Sequence, residues 1–317
     1  MPSVIYTQKM KSRTYTGNFL TYLLSLTAIT LWGASYIWSD CLISRGVSIF
    51  YFVFVRIAIA GLLLLAFNAA SHKFQTIRKK DLPWFLILAL CEPFIYFLFE
   101  TYGIKLTGSP TLSAMTVATI PIFSIFAGVV FFREKLCGLN IFGIFLSLGG
   151  IVLVAMAKGE LGEHFIAGVI FLLIAVIAEV CHASITKKLS DHYTSQNIVM
   201  YQFLIGSVYL LPLFIFKGLE GFDDAVYLSW DTWRPVLCLA VLCSSIAFSL
   251  WVGTIKKLGV AKSSIFTALI PVASAIIAWV CGHELLNLRQ WFGVALCTVG
   301  VILSQVTVKA HAKKAVK

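Results

Sequence analysis

The chain has 317 residues, of which 59% are hydrophobic and only 12% charged, and its mean hydropathy is +0.91. Soluble globular proteins carry about 25% charged residues, and half that share cannot cover a water-facing surface, so a soluble enzyme, a disordered chain and a fibrous protein are excluded. The formal charge of +11 does not signal nucleic acid, because the basic residues are scattered over short loops and both tails.

A membrane-crossing helix needs about 20 apolar residues. Taken in chain order, ten such stretches follow a tail over residues 1–18: 19–43, 49–69, 83–103, 109–132, 138–157, 165–186, 196–216, 234–255, 260–281 and 289–308. A basic tail closes the chain at 309–317. Span 1 is too long for a signal-peptide core and reads as an uncleaved first crossing. Breaks fall at charge clusters and at Gly or Pro, as in Lys73–Pro83 and Gly218–Asp231. With the amino terminus inside, eighteen Lys and Arg lie on the inner side and six on the outer, while Arg56 falls within span 2. This bias puts both termini in the cytoplasm. The eight cysteines sit singly, so neither a disulfide framework nor a zinc site is expected.

The chain repeats itself. At a shift of 150, spans 4–5 fall on spans 9–10 without a gap, with 14 identities over residues 103–153. They include Pro121 with Pro271, Glu134 with Glu284, Gly143 with Gly293 and Gly150 with Gly300. Ala34-Ser35 of span 1 meets Ala183-Ser184 of span 6 at a shift of 149. Five spans per copy is odd, so the second copy enters the membrane upside down. The expected fold is all-α, with ten transmembrane helices in two inverted repeats (19–157 and 165–308) and a site between them near the midplane.

Ionisable groups inside hydrocarbon cost at least about 2.5 kcal/mol each and face a cavity or a partner. Glu92, followed by the helix-breaking Pro93, lies mid-span 3, with Tyr96 one turn on. It reads as a substrate or proton site, or as a neutral Glu bonded to a neighbouring helix. Glu100 lies at the depth of Arg56, as an ion pair or a gate, although Lys105 could take Glu100 instead. Glu179 and His182 share a face of span 6 as a substrate or proton contact, or as structural polarity. A Glu-x-x-His pair is also half of a carboxylate di-metal site, but no second copy exists, so no metal is expected. One Arg against three Glu leaves excess negative charge, which points to a bound proton or an amine-bearing ligand. Trp32, Tyr36, Tyr96, Tyr201 and Trp251 are candidate pocket walls with cation–π capacity, ordinary packing being the alternative. Pro121 and Pro271 bend matching spans, and Gly143 and Gly293 permit close helix approach. Glu134 and Glu284, at span ends, read as solvated or capping.

Leu31-Trp32-Gly33-Ala34-Ser35 in span 1, Arg56 followed by Ala60-Gly61, and Pro121 before Arg133-Glu134-Lys135-Leu136 form an ordered series. Gly143, Gly149 and Gly150 continue it, and Pro271, Glu284, Gly293 and Gly300 repeat it. In this series the chain resembles the EamA-like family of the drug/metabolite transporter superfamily over about residues 19–308. The resemblance implies export or exchange of an amino acid or related small polar metabolite across the bacterial inner membrane, by alternating access and with proton coupling as an option. It leaves substrate and oligomeric state open. The second half departs from the first: Cys181-His182 stands at the Trp-Gly place and Gln202 near the Arg56 equivalent. No catalytic residue or cofactor is expected, since Gly103–Ser109 lacks the Gly-Lys-Ser/Thr of a phosphate loop and neither HExxH nor GxSxG occurs. Two other classes compete at this stage: a membrane-embedded enzyme using Glu92, Glu179 and His182, and a non-transporting sensor or scaffold.

Overall fold

The computed structural model describes residues 2–125, 138–158 and 163–305. The end of span 4 with Arg133-Glu134-Lys135-Leu136, and the basic tail 309–317, lie outside these residues. No strand occurs among the described residues.

The helices are α1 (Pro2–Ser44), α2 (Ile49–Ala70), α3 (Leu82–Thr107), α4 (Pro110–Ile125), α5 (Gly138–Lys158) and α6 (Glu163–Ser190). They continue with α7 (Ser195–Gly218), α8 (Trp230–Leu258), α9 (Val260–Thr267, resumed at Ile270–Val280) and α10 (Leu288–Ser304). Eight of the ten include a stretch long and apolar enough to cross a membrane; α4, in its described part, and α10 are shorter. The protein is a multi-pass membrane protein. Local chemistry sets the boundaries. Gly108 and Gly259, with φ of 59° and 82°, end α3 and α8 in backbone that a side chain disfavours. Ser109, Thr194 and Asn287 cap α4, α7 and α10 by accepting bonds from backbone N–H groups, and Gln290 completes a capping box with Asn287. Glu284 takes the capping role read for it: its carboxylate accepts from the Ser109 hydroxyl at 2.6 Å and from the Thr111 backbone N–H at 3.3 Å.

The packing has a pseudo-two-fold axis. Helices α5 and α10 run antiparallel in close contact. Gly143 faces Gly300, and Gly150 faces Gly293; the repeat relation carries one contact into the other. Ser147 and Cys297, which are equivalent positions, meet each other at 3.5 Å, so the axis passes between them. The rest follows the same operator. α1 packs on α8 and α9, as α6 packs on α3 and α4, while α2 pairs with its own equivalent α7. A two-fold relating antiparallel membrane helices lies across them, as an inverted repeat requires.

Three helices are interrupted where they approach the centre. α3 breaks at Glu92, whose φ and ψ of −146° and 123° are extended, and the Pro93 ring seats against Gly206 of α7. α4 breaks at Ala118-Thr119 and α9 at Ala268-Leu269, matching places in the two repeats. In each the proline three residues on lacks the N–H that would bond the carbonyl of Val117 or Thr267. α8 keeps its course but carries a widened π-type stretch, Cys238–Ala247, with Ser245 donating five residues back to the Ala240 carbonyl.

Candidate functional site

These interruptions converge on one buried cavity. Val117 and Ile120 flank the α4 break, Thr267 and Ile270 flank the α9 break, and all four line it. Glu92 lines it at the α3 break, and Phe248 just past the widened stretch of α8. Trp32, Ser35 and Tyr36 of α1 and Arg56 of α2 complete it with Tyr96, Phe97, Glu100 and Glu179. The cavity volume is about 30 Å³. That is about the share of one liquid water and far below the roughly 300–1,000 Å³ of a ligand pocket. No amino-acid-sized solute fits this space, and admitting one requires the helices to part.

The cavity has two polar ends. At one, Arg56 is 2% exposed, donates from Nε to Ser244 Oγ at 3.1 Å and stacks over the Phe97 ring at 4.0 Å. Near it the Tyr96 hydroxyl donates to Glu100 Oε1 at 2.9 Å, and the Tyr36 hydroxyl also bonds Glu100. The expected pairing of Arg56 with Glu100 is not made: among the described residues no carboxylate lies within 4.0 Å of Arg56. The widened turn of α8 delivers Ser244 to the guanidinium, and two tyrosines satisfy Glu100. Lys105 does not take Glu100 either; it lines a separate open pocket of about 520 Å³ with Lys217 and Tyr227.

At the other end, fully buried His182 points Nδ1 at two carboxylates, Glu179 Oε2 at 2.8 Å and Glu92 Oε2 at 3.0 Å. A ring N–H can serve only one of them well, and among the described residues Glu92 Oε2 is left without a hydrogen bond. His182 Nε2 lies 3.3 Å from both Gln202 Oε1 and Thr186 Oγ1. The three side chains also fit the donor count of a metal site. Their spacing from Nδ1, however, is that of hydrogen bonds.

The aromatic candidates divide. Trp32, Tyr36 and Tyr96 line the cavity. Trp251 stands behind it, edge-on to Trp32 at 5.2 Å, and both indole N–H groups lack partners among the described residues. Tyr201 is elsewhere: its hydroxyl donates to the Gln75 carbonyl at 2.8 Å and its ring packs on Phe85, under the α2–α3 loop. It was misplaced because depth along a span does not reveal which way a residue faces in an all-apolar helix. Phe97, Phe248, Ser244 and Thr267 were missed for the same reason. Only the repeat register offered a signal for Thr267, four residues before Pro271.

Polar contacts tie loops to helix ends at both ends of the bundle. At the end bearing Lys187 and Lys188, Gln75 of the α2–α3 loop accepts from the Thr194 N–H at 2.7 Å and donates to Asn197 Oδ1 at 3.0 Å. Beside it Asp81 accepts from Arg78 at 2.6 Å and from the Tyr193 hydroxyl at 2.9 Å. Burial alone would raise the Asp81 carboxyl, but these two donors outweigh it and hold the group below its usual range. At the opposite end Arg45 pairs with Asp231 at 2.8 Å, His283 with Asp40 at 2.7 Å, and the Tyr227 hydroxyl accepts from the Ser48 N–H.

A matching pair of discontinuous helices beside a small polar cavity on an inverted-repeat axis is an arrangement of secondary transporters. The EamA-like transporter family model matches residues 19–156 and 166–305. The chain belongs to this family. Among relatives of the transporter, "Uncharacterized transporter YetK" of Bacillus subtilis is 27% identical over 292 residues, 91% of this chain and 87% of that one. A "Probable terminal-alkyne amino-acid exporter" of Streptantibioticus cattleyicolor is 27% identical over 248 residues, 78% of this chain and 81% of that one. One solved crystal structure shares the fold, with a TM-score of 0.68 at 18% identity, over 90% of this chain and 96% of that one. The family and these relatives are transporters and not enzymes, so the embedded-enzyme reading falls away.

Proposed function

We propose that this transporter exports or exchanges an amino acid or closely related small metabolite across the bacterial inner membrane, by alternating access and in exchange for protons. The carrying observation is the division of one buried cavity into an Arg56 end and a Glu92/Glu179/His182 end. Arg56 suits a carboxylate, the acidic end suits an ammonium, and Trp32, Phe97 and Phe248 form an apolar wall between. The name of the Streptantibioticus cattleyicolor relative supports the substrate class.

Proton exchange follows from charge. Arg56 and three ionised glutamates would leave excess negative charge in a medium that tolerates it poorly. Protons or a cationic ligand remove that excess, and alternation between the two occupants couples their movements. The Lys and Arg bias supports cytoplasmic termini. In proteoliposomes, Glu92→Gln should abolish the pH dependence of amino-acid transport; a wild-type rate and pH profile would remove Glu92 from the mechanism.

A further inference from the structure

Glu179 lies on two cavities. Besides the central one, it lines a smaller space of about 10 Å³ with Trp251, Ser263, Ser264, Thr267 and, further along, Ile255 and Val260. Ile255 and Val260 adjoin Lys256, Lys257 and Lys262, so this space runs from the membrane interior toward the basic face. A wholly apolar gap of this size would stay dry; here hydroxyls, the Glu179 carboxyl and an indole N–H stand among Ile120, Ala183, Ile255 and Val260, around room for about one water. The Ser263 hydroxyl donates to the Gly259 carbonyl at 2.7 Å and the Thr267 hydroxyl to the Ser264 carbonyl at 2.6 Å, which leaves their lone pairs available to accept. Trp251, 3% exposed, brings to the same wall an indole N–H with no partner among the described residues.

The feature is one-sided. Under the repeat relation Ser263 matches Ser113, but Ser264 and Thr267 match Ala114 and Val117, Trp251 matches Thr101, and Glu179 matches Thr30. The first repeat therefore lacks the acid, the indole donor and two of the three hydroxyls. Packing symmetry does not account for polar groups set into one copy alone.

We propose that this second cavity is the proton's entrance from the basic face, separate from the substrate's route, and that Glu179 is the gate residue joining it to the central cavity. The inference rests on the transport reading above. Two carboxyls at 2.8 and 3.0 Å from Nδ1 put the ring N–H on that nitrogen. The Nδ1 proton passes to Glu92 Oε2, and the vacated Nδ1 takes the proton that arrives on Glu179 Oε2, so the ring returns to its starting form. Nothing is oxidised or reduced. The titratable groups facing this relay are Cys91 on α3 and Cys181 on α6, with Arg56, Glu100, Tyr36 and Tyr96 beyond them. From α8 the Phe248 ring is uncharged, and from α7 Gln202 is neutral.

The test compares Ser264→Val with Ser264→Thr, side chains of one shape that differ by the hydroxyl. Each is reconstituted with a radiolabelled mixture of L-amino acids, and two quantities are read: counterflow at equal pH, and accumulation driven by a pH step of about one unit. One-for-one exchange gives about tenfold accumulation in the wild type. Ser264→Val should keep counterflow and lose accumulation to near onefold, and Ser264→Thr should keep both. Equal accumulation by both variants overturns the route, as does loss of counterflow together with accumulation in both. Wild-type counterflow without pH-driven accumulation overturns this inference and leaves the transport reading standing. Absence of wild-type counterflow overturns both.

Discussion

The α5–α10 contact predicts opposite outcomes at two neighbouring glycines. A Cβ built on Gly150 would lie 2.6 Å from both the Gly293 carbonyl oxygen and the Cys297 nitrogen. Both are backbone atoms of α10 and cannot rotate away. Restoring ordinary separations of about 3.5 Å requires the helices to part by about 0.9 Å. Because Ser147 and Cys297 already touch on the axis, that displacement opens the whole seam. Overpacking of this kind costs about 1–3 kcal/mol. At Gly149 the nearest atom is Leu296 Cδ2 at 4.0 Å, which is an ordinary contact. There alanine gains about 0.5–1 kcal/mol by lowering the backbone entropy lost in the helix. Gly150→Ala should therefore melt below the wild type and Gly149→Ala at or above it, with roughly 2–4 °C per kcal/mol between them. Thermal unfolding of the detergent-purified protein reads the difference. Equal melting temperatures for the two variants would refute the close-approach account of the seam.

Other outcomes follow from the site and the loop contacts. Arg56→Met, which keeps much of the packing on Phe97, should weaken substrate binding about tenfold to a hundredfold, the scale of one charge-assisted hydrogen bond, measured by thermal shift or counterflow. Tyr201→Phe should leave transport near wild type, because its hydroxyl bonds the Gln75 carbonyl outside the cavity; a strong transport defect would contradict that placement. Asp81 has its carboxyl depressed in the folded state, so its contribution to stability is present above its unfolded pKa and is lost as pH falls through its folded value. Asp81→Asn should accordingly flatten the acid limb of stability against pH, and an unchanged acid limb would rule out this role for the contact.

How much of this was legible beforehand varies by residue. Glu92, Glu179 and His182 could be picked out because charge in hydrocarbon is expensive, and the structure draws all three to one point. Arg56 and Glu100 were identified as important by the same rule, yet their partners were not. The widened turn that brings Ser244 to Arg56 depends on how α8 packs, and no local sequence preference marks it. Pro121 and Pro271 announced bends; that the breaks fall at Ala118-Thr119 and Ala268-Leu269, against a shared cavity, needed coordinates.

The sequence by itself determined what depends on composition and period: a membrane protein of ten apolar helices, two inverted copies, the small-residue seam and a handful of costly charges. These follow because the bilayer imposes span length, backbone self-satisfaction and a penalty on charge that every residue meets separately. Only the tertiary structure decided which face of each helix turns inward. In helices that are apolar all round, amphipathic period carries no directional signal. That is why Tyr201 left the site, Phe248 entered it, and Glu179 proved to stand between two cavities rather than in one.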